Sequence, residues 1–74
     1  MRVAHDFGLV RIVHLGDPMD HASDIVVETK EADGTWKRYQ GFNSLSDDYA
    51  HTNAREAAGR AVKMKAAEIA ANFN

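Results

Sequence analysis

Four histidines, His5, His14, His21 and His51, are the side chains best suited to metal binding or proton transfer in this chain. His21 closes an Asp17-x-x-Asp20-His21 cluster that offers oxygen and nitrogen ligands from one stretch. The spacing does not support a metal site. No two histidines stand at the i, i+4 interval that places both on one helix face, and there is no cysteine to complete a finger. A second group, Ser44, Ser46, Asp47, Asp48 and His51, contains the residue types of nucleophile, acid and base. Nearness in sequence is not a triad, which is defined by roles in space. The acidic pair suits the approach to a helix N-terminus, where the macrodipole favours negative charge. The five glycines are scattered and form no phosphate loop. The expectation is therefore no enzyme, no metal and no cofactor.

Trp36 is the most informative single residue. It stands in Thr35-Trp36-Lys37-Arg38-Tyr39-Gln40, a stretch of strand character that carries two adjacent cations, Lys37 and Arg38. A Trp beside an Arg on an exposed face has the composition of a binding hot spot, and an indole also suits stacking on a base or a guanidinium. The competing reading is that the ring serves as core, or only covers the sheet.

The elements that position Trp36 follow from turn chemistry and periodicity. Residues 7–15, FGLVRIVHL, are β-branched and apolar and are expected to form a first strand. Its facing is ambiguous: Phe7, Leu9, Val13 and Leu15 share a face with Arg11, while Val10 and Ile12 share the other with Gly8 and His14. Gly16 to Ser23 holds the only proline and reads as a loop. Residues 24–30 and 35–42 read as two strands joined by Ala32-Asp33-Gly34, with Gly34 left-handed. That turn sets Lys30 opposite Trp36, Thr29 opposite Lys37 and Glu28 opposite Arg38. Continued without interruption, it sets Val27 opposite Tyr39 and Ile25 opposite Gly41. One face then collects Ile25, Val27, Tyr39 and Gly41. The other collects Val26, Glu28, Lys30, Trp36, Arg38 and Gln40, of which Trp36, Arg38, Lys30, Glu28 and Gln40 are the candidate partner-binding set.

The last segment, residues 53–72, is rich in alanine and free of proline, and is expected to be one helix. Asn53-Ala54-Arg55-Glu56 fits a capping box; Ser46-Asp47-Asp48 is a rival start nearly two turns earlier. At about 100° per residue, Ala54, Ala58, Val62, Ile69 and Phe73 form an apolar stripe flanked by Ala50, Ala57 and Ala61. The alanines permit close approach to Tyr39 and Gly41. Lys65 falls inside the stripe and is expected to bury its stem and keep its ammonium wet. Glu56, Arg60 and Lys63 lie on the outer side.

Seventy-four residues make one small α+β domain, 1–74: a three-stranded antiparallel sheet (β-β-β-α) with one C-terminal helix packed on one face. A core of this size contributes roughly 3–5 kcal/mol of net stability, so self-association is a natural supplement. No apolar run approaches the ~20 residues of a membrane span, and the N-terminus lacks the build of a secretory signal, so a cytoplasmic protein without membrane contact is expected. The formal net charge is −2. Residues 1–34 carry three basic against seven acidic side chains and residues 35–74 carry six against four, so the two halves differ in sign. Phosphate neutralisation dominates affinity for duplex DNA, and this balance does not supply it.

Two function classes remain. The first is a small protein-binding module, with another protein or a second copy of itself as partner. A phage or mobile-element inhibitor of a host complex, of the anti-CRISPR type, is one instance. The second is nucleic-acid binding through the open face of the sheet, an arrangement similar in outline to integrase-type arm-binding and plant AP2 domains. Here Arg11, Lys30, Lys37 and Arg38 are offset by Glu28, Glu31, Asp24 and Asp33.

Overall fold

A computed structural model describes residues 1–73 as four antiparallel strands followed by one helix: β1 Arg2–Asp6, β2 Val10–His14, β3 Ile25–Lys30, β4 Trp36–Phe42 and α1 Ala50–Ala71. The strands pair in chain order, β1-β2-β3-β4. The α+β class and the C-terminal helix on one sheet face are as expected, but the sheet has four strands rather than three.

The added strand comes from the expected first strand, residues 7–15, being half a hairpin. Phe7, Gly8 and Leu9 form a turn rather than strand, with Gly8 at φ 86°. The Asp6 carboxylate accepts from the Gly8 amide at 2.8 Å, and the Phe7 amide donates to the Val10 carbonyl. β1 escaped the periodicity argument because it is an edge strand exposed on both faces, so no apolar alternation marks it. Its presence settles the facing of β2. Lying between two strands, β2 sends Val10 and Ile12 to the helix side and Arg11 and Val13 to the other, with all but Arg11 of these four buried.

The β3–β4 turn forms as its residues dictate. Gly34 has φ 88°, and the Asp33 carboxylate accepts from both the amide and the hydroxyl of Thr35. Lys30–Trp36, Thr29–Lys37 and Glu28–Arg38 face one another as expected. Beyond them the register shifts. Val27 pairs with Gln40 rather than Tyr39, and Ile25 with Phe42 rather than Gly41, leaving Tyr39 as the extra residue of a bulge. Three residues apart, Tyr39 and Phe42 would point to opposite faces of a regular strand. The bulge lets both pack against the helix-side core. It also moves Gly41 to the open face and Gln40 to the helix side.

The core is the layer between the sheet and α1. Val10, Ile12, Ile25 and Val27 meet Ala50, Ala54, Ala57, Ala58 and Ala61. The expected stripe is corrected: Val62, Ile69 and Phe73 are 41%, 47% and 85% exposed, and the alanine row faces the sheet instead. Branched side chains already fill the sheet's surface, so small residues allow the helix to lie closest. Lys65 ends the row with its stem buried and its ammonium 3.2 Å from Glu68 and 3.8 Å from Glu31.

The helix starts at Ala50, earlier than the expected Asn53 and later than the rival start, and the Asn53 capping box does not form. Tyr49 is the cap residue and makes no side-chain cap hydrogen bond; the Asn53 side chain donates to Asp47 at 3.0 Å instead. Burial of Ala50 against the sheet outweighs the local signal. At 22 residues, α1 is about 33 Å long and outruns strands of at most seven residues, roughly 23 Å. Its exposed final turns lengthen the molecule to 46 × 22 × 16 Å. Among the described residues no helix is long and apolar enough to cross a membrane.

Candidate protein-binding face

The open face of the sheet is built on neighbouring positions of β2, β3 and β4. The Arg11–Glu28–Arg38 row lies beside the Lys30–Trp36 pair, so four charged residues share the face with one indole. Arg11 donates from Nε to Glu28 Oε1 at 2.7 Å, and its guanidinium lies 4.1 Å from the centre of the Trp36 ring. Only 17% of the Arg11 side chain and 19% of the Glu28 side chain are exposed. The ion pair is thus drawn under the ring, where reduced solvation strengthens both the pair and the cation–π contact. The Lys30 ammonium lies 5.9 Å from the same ring. Trp36 is therefore held in place, partly buried, with its charged surroundings ordered around it.

Arg38 turns away from this group. Its guanidinium donates to Ser23 Oγ at 2.6 Å, and the two side chains cross over Gly41, directly opposite Val26. A Cβ on Gly41 would lie 2.6 Å from Ser23 Cβ, so glycine is what permits the crossing. The crossing accounts for the burial of Val26 on the side away from the helix.

Four of the expected residues, Trp36, Arg38, Lys30 and Glu28, thus share the open face. Gln40 does not: its side-chain oxygen accepts from Arg60 of α1 at 3.2 Å, on the opposite side. Arg11 belongs to the face and was missed. The signal for it was a lone arginine inside an apolar strand, but its partner Glu28 is assigned only once β2 and β3 are in register.

The groups with catalytic residue types are separately engaged. The Ser44 hydroxyl and amide both donate to the Asp24 carboxylate, at 2.6 and 2.7 Å. Burial alone would raise the Asp24 carboxyl; the two Ser44 bonds, together with its own backbone amide and the His14 charge, hold it below its ordinary value. Asp47 accepts from Tyr49 and Asn53, and Ser46 turns to the Asn43 carbonyl. His51 lies edge-on to His14, 5.5 Å between centres. Arg2 can only donate, so the 2.8 Å contact makes His14 Nδ1 an acceptor. Burial, then the Arg2 charge, then His51 hold His14 below its ordinary value. In the Asp17–His21 stretch, Asp17 accepts from the Met19 amide, and the Asn43 side chain ties the Pro18 and His21 carbonyls to the end of β4. Among the described residues no three of His, Asp and Glu gather as a metal site.

Compared with protein-family models, curated proteins and solved structures, the chain matches none.

Proposed function

We propose that this chain is a small non-enzymatic protein-interaction module that binds its partner through the open face of the sheet. The observation that carries this reading is the Trp36 ring, fixed against the Arg11–Glu28 pair and flanked by Lys30 on rigid strands. An aromatic and an arginine already held in one geometry lose little freedom on binding, which is the property of hot-spot residues. Arg38, at the rim, donates to a serine hydroxyl and forms no ion pair among the described residues, so it adds a charge that a partner carboxylate can recruit. Inhibition of a host complex by a phage or mobile-element protein needs no more than such a surface, and the cytoplasm is the corresponding setting.

Nucleic acid is the alternative occupant of the same face. It is the weaker reading because Arg11 is committed to Glu28, leaving Lys30 beside the ring and Arg38 at the rim as the cations of the face, and phosphate contacts are the main source of such affinity. Quantitative affinity capture from a native lysate separates the two. Trp36→Ala and Arg38→Glu, each checked for folding by circular dichroism, should lose the same captured protein. Unchanged capture by both variants overturns the reading. So does a salt-sensitive shift of DNA or RNA that Arg38→Glu abolishes, which assigns the face to nucleic acid.

A further inference from the structure

An apolar furrow runs between the β1–β2 turn and the flank of α1, on the helix side of the molecule and away from Trp36. Two adjoining clefts of about 310 and 190 Å³ meet at Phe7 and Val62. The first passes Arg55, Gly59 and Lys63; the second passes Leu9, Ala66 and Ile69. Phe7, Leu9, Val62 and Ile69 are 51%, 39%, 41% and 47% exposed. The furrow exists because α1 lies over β2, β3 and β4 and, among the described residues, does not reach β1. Phe7 at its wall is stacked on His5 of β1, 6.1 Å between centres.

We propose that this furrow docks an acidic amphipathic helix of a partner protein. Charge names the occupant. Arg55 and Lys63 line the first cleft and form no ion pair among the described residues, and no described carboxylate lines either cleft. Lys65 borders the second, but its ammonium is committed to Glu31 and Glu68. An apolar trough with unpaired cations along one rim matches a helix with apolar residues at i, i+3 and i+4 and carboxylates beside them. A second copy of this chain matches poorly, because a two-fold contact would set Arg55 and Lys63 against their own images with no carboxylate between.

Gly59 marks the point of closest approach. A glycine inside a helix costs about 1 kcal/mol relative to alanine. Here a Cβ would meet nothing within 4 Å, so packing within the chain does not require it. It lies between Arg55 and Lys63 on the rim, at i+4 from the first and i−4 from the second, and leaves bare backbone where a partner side chain can seat.

The test uses the ¹⁵N-labelled full chain and three synthetic peptides of about 16 residues: a leucine/phenylalanine amphipathic helix with glutamates, the same peptide with lysines, and a scrambled glutamate peptide. The glutamate helix should shift the amide resonances of Phe7, Gly59, Val62 and Ala66 in a saturable manner, at least about tenfold more tightly than either control. Gly59→Gln should raise the melting temperature through helix propensity while weakening the peptide by about tenfold, a split that loss of folding would not give. Lys63→Glu should move the preference toward the lysine peptide. Trp36→Ala should leave binding unchanged, because the furrow does not depend on the open face. No saturable shift, equal binding of the lysine peptide, or pairing of the free chain through this face in sedimentation equilibrium overturns the proposal.

Discussion

Removing the Trp36 indole uncovers the Arg11–Glu28 pair, so Trp36→Ala carries two effects that need separate measurement. The ring lies 4.1 Å from the guanidinium and shields a pair whose side chains are less than one-fifth exposed. Losing that cover should cost about 1–2 kcal/mol of stability by urea denaturation, the scale of a partly desolvated cation–π contact. Trp36→Phe should recover about half. A Trp36→Ala protein as stable as the parent would mean that the ring covers nothing, and that its place on this face serves a partner alone. The face was readable at this scale because Glu28, Lys30 and Arg38 surround Trp36 at alternate positions joined by a recognisable tight turn. Arg11 was not readable. The Gly16–Ser23 connector fixes no register between β2 and β3, so nothing in the sequence assigns Glu28 to Arg11.

Among the elements, β4 shows how one extra residue redistributes a surface. The bulge at Tyr39 turns Tyr39 and Phe42 into the core, sends Gln40 to Arg60, and brings Gly41 under Arg38 and Ser23. Gly41→Ala should therefore destabilise by about 1–3 kcal/mol, the usual cost of overpacking. Ser23→Gly in the same chain should recover most of it, because the Ser23 Cβ is the less movable obstacle. An additive double mutant would show that the Ser23 side chain is not what the added methyl meets. Local signals specified the β3–β4 turn through Asp33 and Gly34, but no turn residue marks the bulge, which forms for the sake of two aromatics meeting a helix distant in sequence. The helix errors have the same origin. Its existence follows from composition, whereas its rotation is set by which residues let it lie closest to Ile12, Ile25 and Val27. That put the alanines inside and left Val62 and Ile69 to the furrow.

Across the whole molecule, stability is distributed unevenly from one side to the other, and pH should reveal where it is least. β1 is exposed at every position but the half-buried Ala4 and lies outside the reach of α1, and the Arg2–His14 bond ties its first residue to β2. The groups around His14 are Arg2 and His5 of β1, His51 of α1 and Asp24 ahead of β3; only Asp24 favours a proton on the imidazole. With its proton affinity lowered on folding, His14 binds fewer protons in the native than in the unfolded chain. Its contribution is complete above the ordinary value of 6.5 and is lost as pH falls through the lower native value. Asp24 acts with the same sign further down: its contribution is present above 3.8 and lost as pH falls through its own depressed native value. Protonating His14 removes the acceptor for Arg2 and sets two cations side by side, so β1 should loosen before the rest of the sheet. Hydrogen exchange, corrected for intrinsic chemistry, should show β1 amides losing protection as pH falls below 6.5 while β3 amides keep theirs. His14→Gln, neutral throughout, should flatten that dependence. Uniform loss of protection across all four strands in this range would overturn the idea that β1 loosens first, because Asp24 and its Ser44 bonds are lost only below 3.8.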